Sequence, residues 1–132
     1  MSQVTEFTTE KRRAAAGPLL STIFRIFEQW QLSKQQQQTL LGIHNETTFY
    51  NWRNKPESAT LSNDLLERTS YILGIWKALQ ILIPEPQLAD QWIKSPNHNM
   101  AFNGQAPLDR MMAGQVVDLA HVRYYLDAER GG

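Results

Sequence analysis

The chain has 132 residues, 42% hydrophobic and 20% charged, with 13 basic against 13 acidic side chains. That length holds about one domain, or two very small ones, and that composition excludes a wholly disordered chain. The absence of cysteine excludes a disulfide scaffold and thiolate metal sites, and zero net charge argues against a non-specific polyanion binder.

The charge is unevenly spread. Residues 1–60 carry a net +2 and residues 61–132 a net −2, and the window from Lys11 to Lys55 holds seven basic residues against Glu28 and Glu46. A basic front and an acidic back suggest two partners of different kind. The longest apolar stretch, Leu65 to Ile83, contains Glu67, Arg68 and Lys77 and so does not read as a membrane span. Met1 to Arg13 has no apolar run of the kind a secretory signal needs, so a cytoplasmic protein is expected.

In chain order, residues 1–16 read as a flexible tail, polar and then Ala-rich, with Lys11-Arg12-Arg13 as either part of a frayed end or a basic arm for phosphate. Gly17-Pro18 predicts the start of the first helix, with Pro18 where a missing N–H costs nothing. Leu20, Ile23, Phe24 and Phe27 recur at i, i+3, i+4 and i+7, and Trp30 extends that face. Ser33-x-x-Gln36 is a capping box that opens a second helix, which Leu40 and Leu41 anchor and Gly42 ends. The run Gln35–Gln38 reads as its solvated face. Asn45 predicts the N-cap of a third helix, with Glu46 in its first turn, Phe49 and Trp52 as its inward pair, and a stop before Pro56.

Ser62 caps a long fourth helix on which Leu65, Leu66, Thr69, Ile72, Leu73, Trp76, Leu79 and Ile83 repeat at helical spacing. Trp76 is expected to be buried where this helix meets both ends of the protein. Pro84 and Pro86 end it, and Pro86 begins a fifth helix that runs to Lys94, with Leu88, Trp92 and Ile93 as its apolar contacts. Ser95 to Ala106 is a loop by composition, with Ala101-Phe102 tucked into the core. Pro107 opens a short helix closed by Gly114, and a last helix runs from Gln115 to Glu129. No alternating β pattern occurs, so the chain is predicted to be all-α.

Nothing points to catalysis. His44, His98 and His121 lack a second His or a carboxylate at the spacing of a zinc helix, and Asp118 with His121 at i, i+3 reads as a surface contact. There is no Gly-rich phosphate loop and no G-x-S-x-G elbow. No enzymatic activity, cofactor or metal is expected.

Ser33 to Asn54 is the stronger constellation: a short helix, a Gly-containing turn and a second short helix with two apolar aromatics, which is the helix-turn-helix arrangement. With Phe49 and Trp52 inward, 100° per residue puts Thr47, Tyr50, Asn51 and Asn54 on the opposite side, where they suit base edges in a major groove. Asn amides match adenine N6 and N7. Lys34, Arg53 and Lys55 flank this face and suit phosphate, and Gln36 and Glu46 complete the candidate DNA-binding set. An ordinary helical hairpin with a polar outer face has the same pattern. Gln35, Leu41-Gly42-Ile43 and Thr48-Phe49-Tyr50-Asn51-Trp52 resemble the repressor-type motif, with a turn one residue longer than the commonest version, His44 being the extra residue.

On the last helix, Val116, Leu119, Val122 and Leu126 make one apolar stripe, and Val117, Ala120, Tyr124 and Ala128 make another almost opposite. A surface helix needs only one. The second must meet another helix of the domain, a second copy or a partner. Arg123 and Arg130 near Tyr124 have the Arg/Tyr character of interface hot spots.

Ala101-Phe102-Asn103-Gly104-Gln105-Ala106-Pro107-Leu108-Asp109-Arg110-Met111, then Gly114, Val122 and Tyr125-Leu126-Asp127, resemble the toxin-binding domain of the Xre/MbcA/ParS antitoxin family. Leu66 to Leu82, up to Pro84, is similar to the helix that precedes that domain, so the resemblance spans roughly residues 17–132. It implies an antitoxin whose front domain binds the operator of its own operon. Its back domain would block a RES-domain toxin, of a family associated with NAD degradation. The toxin-facing residues are then Arg123, Tyr124, Asp127, Arg130, Gly131 and Gly132, with the chain end at the active-site mouth.

The expected organisation is a flexible tail over 1–16, a helix-turn-helix DNA-binding domain with its long supporting helix over 17–83, and a small helical toxin-binding domain over 84–132. A homodimer is expected because operators are usually read as paired half-sites. Two alternatives are a stand-alone helix-turn-helix transcription regulator, whose C-terminal part only dimerises or senses a ligand, and a structural adaptor with no DNA role.

Overall fold

A computed structural model describes residues 9–131, and these are all-helical. The elements are α1 (Thr9–Gln29), α2 (Lys34–Leu41), α3 (Glu46–Asn54), a 3-10 turn (Pro56–Ser58), α4 (Asn63–Leu82), α5 (Pro86–Gln91), a second 3-10 turn (Trp92–Lys94), α6 (Pro107–Met111) and α7 (Val116–Glu129). No described helix is long and apolar enough to cross a membrane.

Among the described residues the first helix starts at Thr9, eight residues before the Gly17-Pro18 expected to open it, and Pro18 lies inside it. Residues 9–16, expected as tail, are its first two turns; residues 1–8 and the side chains of Arg12 and Arg13 lie outside the described residues. The reason is packing. Ala16 is fully buried and continues the stripe of Leu20, Ile23 and Phe27 one turn upstream, at a site where Pro18 forfeits one backbone bond. Gly17 lets the Pro56–Ser58 turn approach: a Cβ there would lie 3.4 Å from the Glu57 Cβ.

The local signals at α2, α3 and α4 translate directly into structure. Ser33 and Gln36 form the reciprocal capping box, Asn45 Oδ1 accepts from Thr48 N and Ser62 Oγ accepts from Leu65 N. Gly42 takes the left-handed conformation at φ 69° that lets its N–H close the end of α2. The loop after α5 also holds as expected: Phe102 is buried, Gly104 has φ 84° and Pro107 starts α6.

One hydrophobic core runs from Ala16 to Leu126 through both halves of the chain. Helix α4 is its spine. Leu65, Ile72, Ile75 and Leu79 form one buried face, while Gly74 and Ala78 lie on another side, where Arg123 of α7 lies against Gly74. Helix α7 contributes Leu119, Val122 and Leu126 to the core.

Two aromatic and aliphatic placements differ from the sequence reading. Trp76 is half-buried rather than buried, because its indole N–H reaches the rim and donates to Gln29 Oε1 at 2.8 Å. Trp30, at the end of α1, takes the deep position instead, with 1% exposure. Leu88, expected to anchor α5, is 55% exposed; that short helix is held by Ala89 and by Ile93 just beyond it. Trp92 stacks on Tyr125 and meets the edge of Phe102.

The seam between α1 and α5 joins the two halves. Lys94 Nζ donates to Gln31 O at 2.8 Å, and Trp30, Asp90 and Gln91 line the adjoining cleft. Burial raises the Asp90 carboxyl above its ordinary value of 3.8.

Candidate functional site

The structure presents two candidate surfaces built on different helices. The first is α3. Phe49 is buried and meets Phe24 of α1 edge-on, with ring centroids 5.9 Å apart, and Trp52 packs beside it half-buried. This orientation turns Thr47, Tyr50, Asn51 and Asn54 outward together, and all four are exposed. Their amide, hydroxyl and phenol groups form a donor–acceptor surface without formal charge.

The residues around that face are engaged with their own chain. Lys34 Nζ bonds the Glu46 carboxylate and sits 5.5 Å over the Tyr50 ring; the bond to Glu46 raises the ammonium above its usual range. Arg53 donates to Gln37 Oε1 at 3.2 Å, lies 3.7 Å from a Glu28 oxygen and covers the Phe24 ring. Gln36 spends its side-chain oxygen on the Ser33 N–H. Lys55 is exposed at the C-terminus of α3. The run Gln35–Gln38 is not uniformly solvated: Gln37 is buried and donates to Leu32 O at 3.0 Å, and Gln38 donates to Ile43 O at 3.2 Å. A buried amide must find partners, and the chain reversals on either side of α2 supply both carbonyls.

The second surface is the outer side of α7 with the neighbouring side of α4. Val117 is 63% and Tyr124 61% exposed, and Ala128 is exposed, whereas Ala120 of the same stripe is buried. Tyr124 packs edge-on against Tyr71 with centroids 6.1 Å apart, and their hydroxyls lie 3.2 Å apart. That hydrogen bond is the main reason the Tyr71 phenol is raised above its ordinary value. Arg123 Nε donates to both Asp127 oxygens, at 3.0 and 2.9 Å. Arg130 and Gly131 are exposed at the end of α7; Gly132 lies outside the described residues.

Asp118 and His121 are not the surface pair expected. Asp118 is buried and accepts from Arg110 Nε at 2.7 Å and from Gln115 N at 3.0 Å, while His121 Nε2 donates to Ala101 O at 3.1 Å. Both brace the loop and helix around Phe102. Among the described residues no group of three or more His, Asp or Glu is placed to hold a metal.

One residue that sequence reasoning passed over ties the end of α2 to the turn before α7. Arg68 of α4 is buried; it donates to Asp64 Oδ2 at 2.8 Å and to Gly114 O at 2.9 Å, and reaches the Thr39 and Leu40 carbonyls at 3.4 Å. Its only sequence signal is an Arg falling between Leu65 and Ile72 on an otherwise apolar face.

Residues 10–74 match the model of the antitoxin Xre-like helix-turn-helix domain, and residues 78–132 match that of the antitoxin Xre/MbcA/ParS C-terminal toxin-binding domain. The uncharacterized protein y4oB of Sinorhizobium fredii is 48% identical over 113 residues, 86% of this chain and 84% of that protein. No solved structure matches. A helix-turn-helix followed by a toxin-binding domain on one shared core makes the chain an antitoxin of the Xre family, a protein that binds and does not catalyse.

Proposed function

We propose that this antitoxin blocks a RES-domain toxin by occupying its active-site entrance, and that it represses its own operon by binding operator DNA through α3. Residues 84–132 are the toxin-blocking half, and residues 17–83 are the DNA-reading half. The protein works in the cytoplasm as a homodimer. The observation that carries the reading is the exposure of Tyr124 between Arg123 and Arg130 on a helix of the toxin-binding domain, a surface rich in the residue types that dominate protein interfaces. Asp127 holds Arg123 in place.

The test is inhibition of the NAD-consuming activity of the cognate RES-domain toxin. Wild-type protein is expected to abolish it. The Tyr124→Ala/Arg130→Ala double variant, with its fold checked by circular dichroism, is expected to require at least about 30-fold more protein, since an interface hot spot contributes about 2 kcal/mol or more. Point variants are preferable to a truncation at Gly114, which would strip the core contacts of Leu119, Val122 and Leu126. No inhibition by wild type, with operator binding intact, would instead establish the stand-alone regulator.

For the DNA surface, Asn51→Ala is expected to cost about 1–3 kcal/mol on the cognate operator and little on random sequence, measured by fluorescence anisotropy. Equal losses on both would make Asn51 a backbone contact.

A further inference from the structure

Gly74 stands in the middle of α4, where glycine costs about 1 kcal/mol relative to alanine. What it permits is visible across the helix interface. A Cβ at this position would lie 1.5 Å from Arg123 Nη1 and 2.4 Å from its Cζ, so the guanidinium lies directly against bare backbone. Asp127 fixes the same group by accepting from Nε, and neither Nη1 nor Nη2 donates a hydrogen bond among the described residues. Around this flattened guanidinium, Ser70, Leu73, Gly74, Lys77, Arg123 and Arg130 line a notch of about 230 Å³ between α4 and α7. Lys77 and Arg130 form no ion pair among the described residues. The carboxylates near the notch are Asp127, which Arg123 already holds, and Glu67, which lies toward Tyr71. Among the described residues, three cations and no carboxylate therefore line the notch, and of the two carboxylates near it Asp127 is already engaged by Arg123.

We propose that this notch is a carboxylate-accepting subsite that takes an acidic side chain of the toxin, a proposal that rests on the toxin-binding reading above. An ordered guanidinium with its outer N–H groups unused matches the planar geometry of a carboxylate. Lys77 and Arg130 add charge, and Ser70 a hydroxyl donor, at the rim. The adjoining residues on both helices are Tyr71 and Tyr124, so the notch continues into an exposed aromatic platform, which suits a protein surface better than a free ion. A DNA phosphate is the poorer occupant: α3 packs on α1 and the Pro56–Ser58 turn, whereas the notch belongs to α4 and α7.

Gly74→Ala is the informative variant, because it improves the helix propensity of α4 while pushing Arg123 out of the notch. It is expected to melt at or above the wild-type temperature and yet to weaken toxin binding about tenfold. Lys77→Glu, an exposed change, is expected to weaken it by about the same factor. Reversal of one Asp or Glu on the toxin to Lys should restore binding to Lys77→Glu. Affinities would be measured by calorimetry with the purified toxin. Wild type that fails to bind removes the toxin reading itself. Wild type that binds, with both variants within about twofold of it, overturns the notch alone, as does a Lys77→Glu loss that no toxin charge reversal repairs.

Discussion

Trp30→Ala is expected to lower the free energy of unfolding by about 3–5 kcal/mol, against about 1–2 kcal/mol for Trp76→Ala. The two indoles look interchangeable in the sequence, one closing an apolar stripe on α1 and the other in mid-stripe on α4. In the structure Trp30 is 1% exposed and lies where α1 hands over to the α5 seam, so its removal leaves a cavity that the surrounding helices fill only in part. Trp76 is half-buried, and its indole N–H is matched by Gln29 at an exposed site where water can substitute. Urea titrations of both variants, compared at constant m-value, give the difference directly. A Trp76→Ala loss equal to or larger than that of Trp30→Ala would contradict this placement.

Arg68→Ala is expected to cost about 2–4 kcal/mol, and Arg68→Lys to recover less than half of that. The guanidinium is buried and serves three places at once: Asp64 one turn behind it, the last carbonyls of α2, and Gly114 at the turn before α7. Deleting it leaves the Leu40 and Gly114 carbonyls short of a donor in a poorly hydrated place, whereas Asp64 remains solvated. A lysine carries the charge but cannot point donors in three directions from one planar group. Gly42 belongs to the same arrangement, since a Cβ there would lie 2.9 Å from Arg68 Nε. Chemical denaturation checks both variants; a loss below about 1 kcal/mol for Arg68→Ala would mean that water replaces the guanidinium at little cost.

What was legible in the sequence was whatever short-range chemistry determines. The caps at Ser33, Asn45 and Ser62 depend on residues within three positions, and the outward set Thr47, Tyr50, Asn51 and Asn54 follows from helical angle alone once Phe49 is inward. The same holds for Gly104 and Pro107 around Phe102. The start of α1 was not legible, because the usual preference of Pro for a first turn is overridden by the burial of Ala16. Nor were the buried polar groups. Gln37 answers to Arg53, Arg68 to Gly114 and Asp118 to Arg110, and such pairings come from packing between elements. The proximity of Gly74 and Lys77 to Arg123 was not legible for a related reason: they lie on α4, and only the contact with α7 brings them together.

Lys34 and Arg53 flank the proposed base-reading face, yet one bonds Glu46 and the other lies beside Glu28. A cation already neutralised at home has few condensed ions to displace from a duplex, so the gain on meeting an arbitrary stretch of DNA is small. On the proposed reading, indiscriminate occupancy of the chromosome would stay low, and residence time would be set by the uncharged groups of Asn51, Asn54 and Thr47 on the matching sequence. If the same chain serves both an operator and a toxin, that arrangement would keep copies available to one or the other rather than spread along the chromosome.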